Sequence, residues 1–328
     1  MSIKSQSNLV FMNTINKIPS VNLSNFLSKD IEKKNTFVKN IGNAYEKIGF
    51  VALRGHFLDT PLIESLYGEI QKFFDLPLSK KLNYEIEGIG GQRGYTSFGK
   101  ESAKGSDEGD LKEFWHFGQQ LSKDSPYLNL YPKNVTINEM PNFNKVGNQA
   151  YHKLEETGIY VLRALALYIG LDELYFDKYI KEGNSILRPI HYPPITSNPK
   201  NAVRSSEHTD INLITLLMGA QGSGLQVQNN NGDWIDAIAE DDELMINVGD
   251  MLSRLTNNKL KSTIHRVVNP PKNKWGVSRY SIPFFMHPIS EMKLNCLENC
   301  IDNNHPKLYK NITAGDYLDE RLHDLGLL

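Results

Sequence analysis

His208, Asp210 and His265 are the residues of this chain whose types and order could do the most chemistry. Two imidazoles and one carboxylate are the ligand set that holds a non-haem Fe(II) on one face and leaves the other face open. Arg279 and Ser281 follow a short way beyond His265. A guanidinium binds a carboxylate through two parallel N–H···O contacts, and a neighbouring hydroxyl can add a third, so this pair suits the far end of an organic acid. Together these residues suggest oxygen activation on iron with an acidic co-substrate. Composition sets the bar for that reading. With nine His, and 38 Asp plus Glu among 328 residues, about one His-x-acid pair arises by chance. The setting of the pair must therefore carry the weight.

Residues 211–218 read INLITLLM, an apolar, β-branched-rich run that suits a buried strand. Residues two apart on a strand face the same way, so His208 and Asp210 could address one ion. His265 lies in a second short extended run, residues 262–268, where it would share a face with Thr263 and Val267. A third run, residues 280–286, begins just after Arg279, and Arg279 and Ser281 are again two apart. Upstream, Ile31, Val38, Ile41, Tyr45 and Ile48 keep helical spacing. Thr60-Pro61 reads as a helix start, with Thr60 as cap and Pro61 at the first helical position, running to about Phe74. A long helix is expected from Lys145 to Ile169, closing at Gly170. From Ser185 onward short strands alternate with turns such as residues 229–233, the pattern of a jelly roll. The Gly- and Ser-rich tract from Gly88 to Gly109 reads as loops over the site, and residues 313–328 as a final helix.

In these segments the chain resembles the iron- and 2-oxoglutarate-dependent oxygenases of the isopenicillin N synthase-like type. Residues 18–23 (IPSVNL) and 49–56 (GFVALRGH) are similar to that family's opening strands, and 73–77 and 110–115 to the segments that follow. HYPP at 191–194 is similar to the tyrosine-containing strand ahead of the metal site. GLQV at 224–227, NVGD at 247–250 and HRVVNP at 265–270 complete the likeness. The resemblance implies an α+β fold, a double-stranded β-helix (jelly roll) core with an N-terminal helical region and a C-terminal helix. Residues 1–184 would form the first part, 185–290 the core and 291–328 an extension of one continuous catalytic unit. It further implies His208, Asp210 and His265 as ligands of Fe(II). 2-Oxoglutarate would chelate the iron, and its far carboxylate would meet Arg279 and Ser281, with Tyr192 a third donor. O2 would be the oxidant, and ascorbate is a candidate reductant. Where the family often carries Asn two residues before the tyrosine, this chain has Ile190, which removes one polar contact to the co-substrate.

Candidate walls of the substrate pocket are Tyr95, Phe98, Phe114, His116 and Phe285, an aromatic and polar set that admits many small molecules. Arg93 is expected at solvent or in a structural ion pair, with a substrate carboxylate as the alternative. Hydroxylation, desaturation, ring closure and ethylene formation share the same ligands, so the motifs do not separate them. An oxidase that takes all its electrons from its substrate and uses no 2-oxoglutarate is an alternative, as is a succinate- and ethylene-forming enzyme. A binding jelly roll without catalysis is more remote, since all three ligands are present.

Composition is that expected of a soluble, cytoplasmic enzyme acting on small molecules. The net charge of −2 favours neither nucleic acid nor an acidic membrane surface. Lys33-Lys34 reads as a solvated helix face. No apolar run is long enough to span a membrane, and the first residues lack the apolar core of a signal peptide. The oligomeric state stays open, a monomer being compatible with everything above. Cys296 and Cys300 are the only cysteines; two reduced thiols are expected, a one-turn disulfide or metal pair being the alternative.

Overall fold

The computed structural model describes residues 17–101, 109–218 and 224–324. Residues 102–108, part of the Gly- and Ser-rich tract, and residues 325–328, the end of the expected final helix, lie outside the described residues. Among the described residues thirteen strands run in chain order as β1 (Ser20–Asn22), β2 (Phe50–Arg54), β3 (Gly94–Thr96), β4 (Glu113–Gly118), β5 (Ile186–Leu187), β6 (Ile190–Tyr192), β7 (Ser205–His208), β8 (Ile214–Met218), β9 (Leu225–Gln228), β10 (Trp234–Asp236), β11 (Leu244–Val248), β12 (His265–Val267) and β13 (Arg279–Met286). They form two sheets. The larger runs β1-β2-β11-β8-β13-β5-β4-β3, with β6 joined to β13 and β4; the smaller runs β10-β9-β12-β7.

Period-two alternation decides what each strand of the larger sheet offers to each side. On β2, Val51 and Leu53 join the large cluster shared with the helices, while Phe50 and Ala52 join a second cluster with Leu225, Val227 and Val267 of the smaller sheet. On β13, Tyr280, Ile282, Phe284 and Met286 belong to the helix-side cluster. The alternate residues Arg279, Ser281 and Phe285 therefore face the space between the sheets. One part of that space is filled by apolar side chains, and Phe50 of this filling meets the His265 ring edge-on, with centroids 5.5 Å apart. The remainder is lined by polar groups.

The helices cover the outer face of the larger sheet. The first long one, Ile31–Lys47, is started by Asp30, whose carboxylate accepts from the N–H groups of Glu32 and Lys33. The next, Thr60–Phe74, is capped by Asp59 rather than Thr60, which instead is its first helical residue; the Asp59 carboxylate accepts from Leu62 N–H. A carboxylate one position earlier satisfies the free N–H groups as well as a hydroxyl would, and Pro61 tolerates the first turn. The long helix spans Pro141–Tyr168, starting four residues earlier than its apolar spacing suggests. It packs against the sheet where Gly158 lets Met286 approach: a Cβ there would sit 2.5 Å from the Met286 sulfur. A last helix covers Ala314–Asp324. The tract expected to be loops contains β3, paired with β4, because residues 94–96 find open hydrogen-bonding groups on that strand. No helix among the described residues is long and apolar enough to cross a membrane. Cys296 and Cys300 are free and buried.

Candidate metal and co-substrate site

His208 closes β7 and faces His265 of β12 directly across the antiparallel pair. Asp210 does not continue the strand: β7 ends at His208, residues 209–210 are irregular and 211–213 form bends before β8 begins at Ile214. The departure has a local cause. Asp210 O, Ile211 O and Leu213 O accept from the N–H groups of Asp250, Met251 and Gly249, which fold the segment onto the start of the short helix Asp250–Leu255. That approach requires Gly249, where a Cβ would overlap the Asn212 carbonyl oxygen. Asp250 then ties the loop from outside. Its carboxylate accepts from Thr209 Oγ1 at 3.0 Å and from Ser262 Oγ at 2.6 Å, one contact on each side of the histidine pair.

The result is three ligand atoms aimed at one another, all within 4.8 Å. Asp210 Oδ1 lies 3.9 Å from His208 Nε2 and 3.8 Å from His265 Nε2. The remaining atoms are already used. His208 Nδ1–H donates to Ser206 O at 2.7 Å and His265 Nδ1–H to Thr263 O at 3.1 Å, which fixes the tautomer that leaves each Nε2 with a free lone pair. Asp210 Oδ2 accepts from Asn247 Nδ2 at 2.7 Å and Thr215 Oγ1 at 2.6 Å, so only Oδ1 is left. Burial and the adjacent His265 lower the His208 pKa to about 4, keeping the imidazole neutral. Burial works against the Asp210 carboxylate, but the two imidazoles, Asn247 and Thr215 outweigh it and hold its pKa below the usual value. Neutral imidazoles and an ionised carboxylate are what a divalent cation needs. The donor set fits Fe(II).

Arg279 and Tyr192 are register partners on β13 and β6, as are Ser281 and Ile190. The Arg279 guanidinium lies 4.9 Å from the Tyr192 ring centre. Arg279 is 2% exposed, and its Nε and Nη1 have no hydrogen-bond partner. A buried guanidinium with idle donors is costly unless an anion completes it. These donors fit a carboxylate. Ile190 joins Phe114 and Tyr192 in a small apolar cluster, so this wall is dry where a polar contact is missing.

The five candidate pocket residues divide. Phe114, His116 and Phe285 converge on Arg188: its guanidinium lies 4.4 Å from the Phe114 ring centre and 5.1 Å from that of Phe285, and its Nε donates to His116 Nε2. Tyr95 does not join them. It is register partner to Trp115, so alternation turns it to the helix side, where it packs on Phe73 and donates to Glu113. Phe98 lies in the loop after β3 and is 49% exposed. Arg93 is neither at solvent nor in an ion pair: it is buried, donating to Gln92 O and to Asn184 Oδ1 at 2.8 Å.

Several groups around the site are not singled out for a role in the sequence. Arg188 pairs with Glu101 at 3.2 Å, Glu101 with Lys112 at 2.8 Å, and Lys112 with Asp110 at 2.8 Å. Asp110 in turn accepts from Ser206, whose carbonyl holds His208. Burial opposes ionisation of Glu101, but Arg188 and Lys112 override it and hold its carboxyl well below the usual range. Burial and the Arg188 charge keep His116 neutral. Arg204 also reaches the Tyr192 ring, at 5.8 Å. Asn247 lies in the NVGD segment at 247–250, whereas Arg188 and Arg204 sit just outside strand ends, where no strand parity marks them.

The matching family models are the non-haem dioxygenase in morphine synthesis N-terminal region, over residues 18–142, and the 2OG-Fe(II) oxygenase superfamily, over residues 183–288. This chain belongs to the 2OG-Fe(II) oxygenases. A 2-oxoglutarate-Fe(II) type oxidoreductase of Emericella nidulans is 30% identical, the match covering 91% of this chain and 87% of that one. The crystal structure of a 2OG-Fe(II) oxygenase family protein from Caulobacter crescentus superposes with a TM-score of 0.85 at 40% identity, covering 94% of this chain and 99% of the other. A full-length Neurospora crassa protein, solved in complex with alpha-KG and thymine, does so with a TM-score of 0.81 at 32% identity, covering 93% and 96%. The oxygenase is thus a 2-oxoglutarate- and Fe(II)-dependent oxidoreductase with a jelly-roll core in a mixed helix-and-strand fold. The alternatives without catalysis or without 2-oxoglutarate fall away.

Proposed function

We propose that His208, Asp210 and His265 hold the Fe(II), that Arg279, Ser281 and Tyr192 grip the far carboxylate of 2-oxoglutarate, and that the oxygenase hydroxylates or desaturates a small planar metabolite beside Phe114, Phe285, His116 and Arg188. The observation that carries the metal assignment is the set of three converging atoms, Nε2, Nε2 and Oδ1, each left over after its partner atom is hydrogen-bonded. Held there, Fe(II) would let O2 act as the oxidant, two of its four electrons coming from 2-oxoglutarate, which leaves as succinate and CO2, and two from the substrate. The chain's own residues bind, orient and exclude water. The two imidazoles stay fixed by their Nδ1 hydrogen bonds. Asn247 and Thr215 keep one Asp210 oxygen occupied so that the other meets the metal. Ile190, Phe114 and Tyr192 keep the co-substrate's flank dry.

For the substrate, two phenyl rings offer flat contact, and the Arg188 guanidinium offers donors to a carbonyl or carboxylate. The Neurospora crassa relative's complex with thymine, a flat ring bearing carbonyls, supports this class. We further propose that residues 1–184, 185–290 and 291–328 act as one catalytic unit, with an N-terminal helical part backing the jelly roll, in the cytoplasm. The test is an anaerobic titration with Fe(II) and 2-oxoglutarate, followed by small planar acids and heterocycles, reading the visible absorption of the iron–2-oxoglutarate complex. A substrate should shift that absorption. Failure of Fe(II) and 2-oxoglutarate to give any absorption would sink the site, whereas a shift with bulky aliphatic compounds alone would sink the substrate class.

A further inference from the structure

Arg204 and Arg279 both approach the ring of Tyr192, at 5.8 and 4.9 Å. They are 4% and 2% exposed. Among the described residues neither is matched by a carboxylate, and the orphaned donors are Arg204 Nε together with Arg279 Nε and Nη1. Arg204 spends one donor on the Val277 carbonyl, at 3.2 Å, two residues before Arg279. The cations along the neighbouring wall are answered: Lys112 by Glu101 and Asp110, Arg188 by Glu101. Two unanswered guanidiniums around one phenol form an arrangement that folding alone disfavours, because each buried charge costs free energy until it is paired. Burial and the nearby Arg279 charge bring the Arg204 pKa down to about 10, the signature of that cost.

We propose that Arg204 is a second anchor of the co-substrate, sharing with Arg279 the far carboxylate of 2-oxoglutarate. This rests on the assignment of Arg279 to that carboxylate and extends it. One carboxylate has two oxygens and about four acceptor positions, enough for donors from both guanidiniums. The shared anchor makes the tail site strongly selective for an anion. A 2-oxo acid with an uncharged tail would leave two buried cations unpaired rather than one, so it should be rejected more sharply than a single arginine allows. Arg204 touches the co-substrate tail and none of the reacting atoms.

The test uses glutarate, which carries the tail without the chelating keto acid, titrated into the metal-free full chain by calorimetry. Wild type should bind, Arg279→Gln should lose binding, and Arg204→Gln should weaken it about tenfold or more, as expected for a lost charge-assisted contact. Arg204→Lys should restore part of it. Thermal melting of the same proteins separates anchoring from structural support. Removing an unpaired buried charge should leave the ligand-free melting temperature unchanged or raised, while the shift produced by glutarate shrinks. If Arg204→Gln binds glutarate as wild type does while Arg279→Gln does not, the second anchor is overturned and the assignment of Arg279 stands. If Arg204→Gln lowers the ligand-free melting temperature and keeps the full glutarate shift, Arg204 is a structural residue and the proposal falls. If Arg279→Gln binds as wild type does, the underlying assignment fails along with it.

Discussion

Two charged clusters sit back to back on the same strands, and they are built on opposite plans. On the helix side, Glu113 is completed on every side: Lys81 Nζ reaches it at 2.8 Å, His191 Nδ1 at 2.7 Å, and Tyr95 donates to it as well. Lys81 also donates to Phe74 O, and His191 contacts Ser278 Oγ at 3.0 Å and stacks on Tyr280. One residue away on each strand, the alternation turns Phe114, Tyr192 and Arg279 into the interior, where Arg279 and Arg204 keep idle donors. The first cluster is closed and holds β4, β6 and β13 in register. The second is open, and its polar groups are satisfied only when something binds. A satisfied buried network holds structure together, whereas idle donors on two neighbouring buried cations make a place that an anion can complete.

The comparison can be broken most severely at the metal corner. His208→Ala should bring iron-dependent succinate formation down to background and abolish tight Fe(II) binding, while circular dichroism and melting change little, since apolar strands supply most of the burial. Asp210→Ala should do the same and also cost about 1–3 kcal/mol in stability, because Asn247 and Thr215 lose their acceptor. Near-normal turnover in either variant would remove the metal assignment.

Next in size is the closed cluster. Glu113→Gln leaves the buried Lys81 charge without a carboxylate, with only neutral carbonyl oxygens, the amide's and that of Phe74, to receive it. Breaking one side of a buried pair typically costs about 3–5 kcal/mol. Chemical denaturation should show a loss of that order. Loss of 2-oxoglutarate affinity with unchanged stability would show instead that this cluster serves the ligand.

Arg279→Lys tests the open side with a smaller effect. Charge is kept but the planar fork is lost. Affinity for 2-oxoglutarate should fall about tenfold or more, in line with the roughly 1.5–3 kcal/mol of a charged hydrogen bond, with no loss of stability. Equal affinity would end the claim that this face is built for the acid.

The same alternation explains what could be read in the sequence and what could not. His208 with Asp210, and Arg279 with Ser281, could be read because each pair is two apart beside a strand-like run, and His265 because it opens the HRVVNP segment that resembles the family. That Asp210 leaves the strand could not be seen, since its bend depends on N–H groups of residues 249–251. Tyr95 was expected in the pocket and lies behind it, because the pairing of Gly94 with His116 fixes which face it takes. Register across two strands is a tertiary fact, and a one-residue slip would reverse every side chain. Arg204 and Arg188 look like ordinary surface arginines until the sheets close over them. Their burial arises from partners far away in the chain.

The smallest effect is expected where the open region meets the substrate. Phe114 is buried against Ile190 and Tyr192, and its ring lies under the Arg188 guanidinium. Truncating it removes flat contact area and a cation–π contact of about 0.5–2 kcal/mol. It leaves the three proposed metal ligands and both interior arginines of the tail site in place. Phe114→Ala should therefore raise the KM for the prime substrate several-fold, while substrate-independent conversion of 2-oxoglutarate to succinate persists. The fraction of turnovers that fail to oxidise substrate should rise, because a loosely held molecule presents its C–H bond less often. If the background conversion disappeared with Fe(II) and 2-oxoglutarate still bound normally, Phe114 would be acting on the oxygen chemistry. The division between a metal corner and a separate substrate wall would then be wrong.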